Sequence, residues 1–144
     1  MPIPSSGYAH VRITVTDIGR SKSFYDELFG WPTAVDNSAR VDEPGVTSSP
    51  QEFFGGVVYQ TPSGALFGLR PSAPGGQRFD SEHVGLDHFS FLVESREVLI
   101  DAAAWFVAHD VEHGEIIDLT DSGLAILSFT DPDGIHGELT APLG

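Results

Sequence analysis

Apolar residues fall into two rhythms along the chain. "HVRITVTD" (His10 to Asp17) alternates, with Val11, Ile13 and Val15 on one side and His10, Arg12 and Thr14 on the other, the period of a strand with one covered face. "GRSKSFYDELFG" changes to a helical spacing that gathers Phe24, Tyr25, Leu28 and Phe29, and Gly30 suits the helix end. Strand-like runs follow in "WPTAVD", "FFGGVVYQ" and "ALFGLR". The succession then returns. "HFSFLVES" alternates, and "REVLIDAAAWFVAHD" places Val98, Leu99, Ala102, Ala103 and Phe106 on one helical face behind a candidate Ser95 cap; "GEIIDL", "GLAILSF" and "IHGELT" complete the set. The predicted order is strand, helix and three strands, twice.

The recurrence reaches individual residues. His10 and Val15 answer His88 and Val93 at a spacing of 78, while Pro62, Gly64 and Leu69 answer Pro132, Gly134 and Leu139 at a spacing of 70. At that second spacing, Gly68 stands where the later copy has Glu138. The stretch "PSAPGGQRFDSEHVG" clusters Pro, Gly and polar residues and reads as a linker over 71–85, between a first module at 1–70 and a second at 86–144. The first module carries extra length, assigned to the polar segment 37–52. That loop is a candidate lid, with an idle surface loop as the plain alternative.

Alternation also sorts the chemistry. His10 and Arg12 share a face of the first strand, His88 and Ser90 a face of the fifth, and His136, Glu138 and Thr140 a face of the last, each backed by apolar residues. If these polar faces curl toward one another, His10, His88 and Glu138 can converge. Two imidazoles and a carboxylate form a ligand set suited to Fe(II), Mn(II) or Zn(II), with positions left open. A divalent cation would also offset the cost of a charged Glu among strand residues.

Composition narrows the partners. The 144 residues suffice for a core without staples, and the absence of Cys removes disulfides and thiolate ligands, in keeping with a reducing cytoplasm. Seven Lys and Arg against 21 Asp and Glu give a formal charge of −14, which argues against nucleic acid and anionic membranes as partners. No leader-like N-terminus or long apolar run is evident, so a soluble, unexported protein is expected.

The segments "HVRITVTDIGRSKSFYDELFGW", "GLDHFSFLVES" and "FTDPDGIHGELTAP" resemble the vicinal oxygen chelate superfamily of glyoxalases, fosfomycin-resistance enzymes, extradiol dioxygenases and bleomycin-resistance proteins. The resemblance covers nearly the whole chain. It implies an α+β fold of two βαβββ modules forming an open cup-shaped mixed sheet, with metal ligands at His10, His88 and Glu138. The remaining corner falls on Gly68, which lacks a ligand atom; this departs from the glyoxalase I pattern and looks more like the fosfomycin-resistance and dioxygenase branches. Fe2+ or Mn2+ is the favoured cofactor, with Zn2+ and Ni2+ as further candidates. A homodimer acting on a small-molecule substrate is expected.

Other residues take secondary roles. His136 is a candidate catalytic acid, base or donor, with a rim position as the alternative. Arg12 and Arg70, beside Gly68, are candidates for binding an anionic substrate group, against surface pairing in so acidic a chain. His109 and His113 lie four apart where a helix should be ending, which disfavours zinc. The leading function is a metal-dependent enzyme of dioxygenase, lyase or thiol-transferase type; the alternative is a dimeric protein that sequesters a drug or metabolite. A metal-stabilised structural or regulatory domain is a third reading.

Overall fold

The computed structural model describes all residues, Met1–Gly144, as two compact units, Met1–Gln77 and Arg78–Gly144. The first unit runs β1 (His10–Thr14), α1 (Ile18–Phe29), β2 (Thr33–Asp36), β3 (Val57–Gln60) and β4 (Leu66–Arg70). Its sheet order is β1-β4-β3-β2, with β1 parallel to β4 and the other pairs antiparallel. The second unit repeats the plan with β5 (Phe89–Leu92), α2 (Arg96–Ala108), β6 (Ile117–Leu119), β7 (Leu124–Thr130) and β8 (His136–Pro142) in the order β5-β8-β7-β6. Both are α+β modules with mixed four-stranded sheets, as the periodicities anticipated. No helix is long and apolar enough to cross a membrane.

Each core forms where a helix covers the apolar face of its sheet. In the first unit Ile13, Val15, Tyr25, Tyr59, Phe67 and Leu69 are buried, and Tyr25 meets Phe67 edge-on at 5.1 Å. Tyr59 donates from its hydroxyl to Asp26 at 2.8 Å, and Asp26 also holds Lys22 at 2.8 Å. Burial, aided by Asp26, raises the Tyr59 pKa; the hydrogen bond to Asp26 likewise raises that of Lys22. In the second unit Leu99 and Phe106 of α2 pack over Leu127, Phe129, Leu139 and Ala141, all buried.

Caps follow local chemistry. Asp17 accepts from the Arg20 amide at 3.1 Å, and Gly30 adopts the left-handed conformation, its N–H reaching Asp26 O. Ser95 occupies the expected position before α2, but its side chain makes no capping bond.

Several expectations need correction. Val11 and Val98 are more than one-third exposed, so both covered faces are narrower than the alternation suggested. The run "FFGGVVYQ" becomes a strand only at Val57 because Phe53 (φ 48°), Phe54 (φ 58°) and Gly55 (φ 74°) make a left-handed turn. The segment 37–52 contains short 3-10 turns and buries Val46, so it is a packed loop rather than a uniformly polar one.

Candidate functional site

In the second unit, parallel pairing of β5 with β8 sets Ser90 opposite Glu138, and β7 sets Ser128 on the other side of Glu138. His88 immediately precedes β5. Its Nε2 lies 3.7 Å from Glu138 Oε2, with the imidazole 44% and the carboxylate 16% exposed. The sequence placed these two residues together, and the fold brings them within reach of a single ion.

The surrounding bonds orient both groups. His88 Nδ1 lies 2.6 Å from Asp87 Oδ1; because a carboxylate accepts, this contact places a ring proton on Nδ1 and turns Nε2 toward Glu138. Thr140 Oγ1 donates to Glu138 Oε1 at 3.2 Å and is itself 2.5 Å from Ser90 Oγ, so Ser90 is the donor to Thr140. One carboxylate oxygen is therefore held from behind while the other faces the imidazole.

These two groups could serve as two ligands of a divalent cation. Neighbouring ligands about 2.1 Å from one ion stand roughly 3.0–3.4 Å apart, so the pair must close by only a few tenths of an ångström. Imidazole nitrogen and carboxylate oxygen suit Mn, Fe or Zn. Neither unit by itself gathers three His, Asp or Glu side chains that could hold a metal.

Sequence reasoning missed the role of Asp87. Its signal is adjacency to His88, which strand alternation treats as pointing elsewhere; the corresponding residue before His10 is Ala9, so the two histidines differ in support. His136 is exposed at the start of β8 opposite Thr130, and its side chain makes no hydrogen bond or ion pair.

In the first unit the polar face carries His10, Arg12 and Gly68, with Arg12 opposite Gly68 and Val58 on the far side of Gly68. A hollow of about 100 Å³ is lined by His10, Arg12, Phe53, Val58, Leu66 and Gly68. Gly68 does not leave simple empty space, because a Cβ there would lie 3.2 Å from Arg12 Cγ; the aliphatic stem of Arg12 lies across it. Two bulky residues in left-handed backbone, Phe53 and Phe54, are strained by roughly 1–3 kcal/mol each, a feature that concentrates at functional sites. The adjoining Gly56 is required because a Cβ would come within 2.0 Å of Leu69 O.

His109 and His113 form no metal pair. His109 Nδ1 donates to Trp105 O at 2.9 Å and its ring stacks on Trp105, while His113 Nδ1 donates to Val111 O at 2.9 Å.

The sequence profile of the Glyoxalase/Bleomycin resistance protein/Dioxygenase superfamily matches residues 7–139. The chain belongs to this superfamily. A glyoxylase/bleomycin resistance protein/dioxygenase domain from Frankia sp. EAN1pec is 27% identical, covers 96% of this chain and 93% of its own, and superposes with a TM-score of 0.75. The fosfomycin resistance protein FosX from Listeria monocytogenes is 17% identical, with 96% and 94% covered and a TM-score of 0.67. Lactoylglutathione lyase from Agrobacterium tumefaciens is 16% identical, with 96% of each chain covered and a TM-score of 0.66. At these lower identities the likeness establishes the fold. A variant of the Listeria protein was solved with Mn(II) and 1S,2S-dihydroxypropylphosphonic acid. No curated protein matches the sequence. The superfamily thus includes metal-binding enzymes as well as resistance proteins.

Proposed function

We propose that this superfamily member is a divalent-metal-dependent enzyme acting on a small oxygenated substrate, with His88 and Glu138 as two ligands and His10 as the third. The observation that carries this reading is the 3.7 Å approach of His88 Nε2 to Glu138 Oε2, with each group's remaining polar atom held by Asp87 or Thr140. His10 is exposed on its strand and free to serve either its own chain or a partner in a homodimer. When bound, the ion would supply Lewis acidity toward a substrate oxygen. Fe2+ and Mn2+ lead the candidates, followed by Zn2+ and Ni2+.

The chain's own residues divide the remaining work. Asp87 fixes the imidazole tautomer, Thr140 and Ser90 fix the carboxylate, and the strongly acidic chain favours cation capture. His136, on the same strand face as Glu138, is the candidate to exchange a proton with substrate. The cytoplasm is the expected compartment for this Cys-free chain.

A dimeric sequestering protein is the second reading, in keeping with a superfamily whose description includes bleomycin resistance protein. Turnover separates the two. The purified protein is assayed with a catechol under O₂, with an epoxide plus thiol, and with an oxoaldehyde plus thiol, before and after chelation. Chelator-sensitive, metal-restored turnover of one substrate class supports the enzyme; stoichiometric, metal-independent retention without product supports sequestration.

A further inference from the structure

With 21 acidic residues for seven basic ones, an arginine without an acidic partner runs against expectation in this chain. Lys22, Arg40 and Arg96 each hold a carboxylate at 2.8 Å. Arg12, Arg70 and Arg78 hold none, and the first two lie together. No ion pair or side-chain hydrogen bond reaches either guanidinium, and Arg70 Nε is buried without a partner. Both instead converge on one ring: Arg70 Cζ lies 3.7 Å and Arg12 Cζ 5.6 Å from the centroid of Phe54.

This convergence is built by the backbone. Parallel pairing sets Arg12 opposite Gly68 and Thr14 opposite Arg70, which puts both arginines on the face away from the buried Ile13 and Leu69. The left-handed turn at Phe53 and Phe54 carries Phe54 to the two arginines and Phe53 to the neighbouring hollow. Stacking occupies the flat face of a guanidinium and leaves its N–H edge available, the edge that matches two oxygens of an anion. Arg70 Nε is itself shut off from a guest, so the terminal nitrogens of Arg70 and Arg12 are the ones that meet it.

We propose that this face of the first unit is a docking subsite for the oxyanion group, carboxylate or phosphonate, of a small molecule whose short apolar portion enters the adjacent hollow. At about 100 Å³, lined in part by Phe53, Val58 and Leu66, the hollow has the volume of roughly three waters and takes a short chain rather than a polymer. The inference deepens the functional reading by naming the charge class of the substrate, and rests on that reading only in calling the guest a substrate. Binding is measured on the metal-free protein, so the subsite and the metal site can fail separately.

Butyrate, propylphosphonate and the uncharged butyramide are titrated into the metal-free full chain by NMR. At least one anion should bind tenfold or more tightly than butyramide, the preferred one distinguishing carboxylate from phosphonate. Arg70→Gln and the surface change Arg12→Gln should each weaken that anion tenfold or more, while Arg78→Gln in the other unit leaves it unchanged. Overturning results are absence of saturable anion binding, equal affinity for butyramide, indifference to both Arg12→Gln and Arg70→Gln, or an equal loss with Arg78→Gln, which would mean net charge alone.

Discussion

Gly137 lies between His136 and Glu138, and a single methyl group there tests how tightly the site's strand is seated. A Cβ on Gly137 would lie 2.2 Å from Phe129 Cζ, whereas carbon atoms at optimal separation stand about 3.5–4.0 Å apart; the ring would have to retreat by roughly 1.3 Å. It has nowhere to go. Phe129 is 1% exposed and stacks on the fully buried Phe106 at 5.4 Å. Overpacking of this kind costs about 1–3 kcal/mol, offset by at most about 0.5–1 kcal/mol from replacing a strand glycine. Gly137→Ala should therefore lose about 1–2 kcal/mol, which at a urea slope near 2 kcal/mol/M lowers the unfolding midpoint by about 0.5–1 M. Gly68→Ala is the control, because its Cβ meets the flexible stem of Arg12 at 3.2 Å and should change the midpoint far less. Equal midpoints for Gly137→Ala and the wild type, or an equal loss at Gly68, would refute the packing argument.

Two further predictions concern stability. Tyr59→Phe should cost about 1–2 kcal/mol near neutral pH by leaving Asp26 without its phenolic donor. Because folding raises the Tyr59 pKa, its stabilisation is complete below the unfolded value near 10 and declines above it, by up to about 1.4 kcal/mol per pH unit; the substitution should flatten that alkaline decline in denaturation curves, and an unchanged slope would contradict the linkage. Asp17→Ala should cost about 1 kcal/mol through loss of its cap, while Ser95→Ala, which removes no capping bond, should be nearly neutral in the same measurement; equal losses would contradict the assignment.

The contrast between Gly137 and Gly68 also indicates what alternation can convey. Facing and element order were legible because strand and helix periods leave a mark at every second or third residue, and this mark singled out His88, just before β5, and Glu138 of β8, whose side chains approach to 3.7 Å. Tyr59 and Phe67 answer Phe129 and Gly137 at the repeat spacing, yet only side-chain placement reveals that the Phe129 ring lies where a Cβ on Gly137 would have to be. The turn at Phe53 and Phe54 was illegible because bulky apolar residues favour strands, and here a tertiary constraint at Gly55 and Gly56 overrides that preference. Asp87 escaped notice for a different reason. Its contact with His88 joins adjacent residues, whose side chains would point to opposite faces of a regular strand, and it forms because both precede β5.

The most direct test of the proposed site is calorimetric titration of Mn(II) into metal-free protein, in the wild type and in His88→Ala, Glu138→Gln and Asp87→Asn. The wild type should bind one ion per chain, His88→Ala and Glu138→Gln should abolish that binding, and Asp87→Asn, which weakens the orientation of His88, should reduce affinity about 10–100-fold. Wild-type affinity and stoichiometry in both His88→Ala and Glu138→Gln would contradict the assignment of these residues as metal ligands.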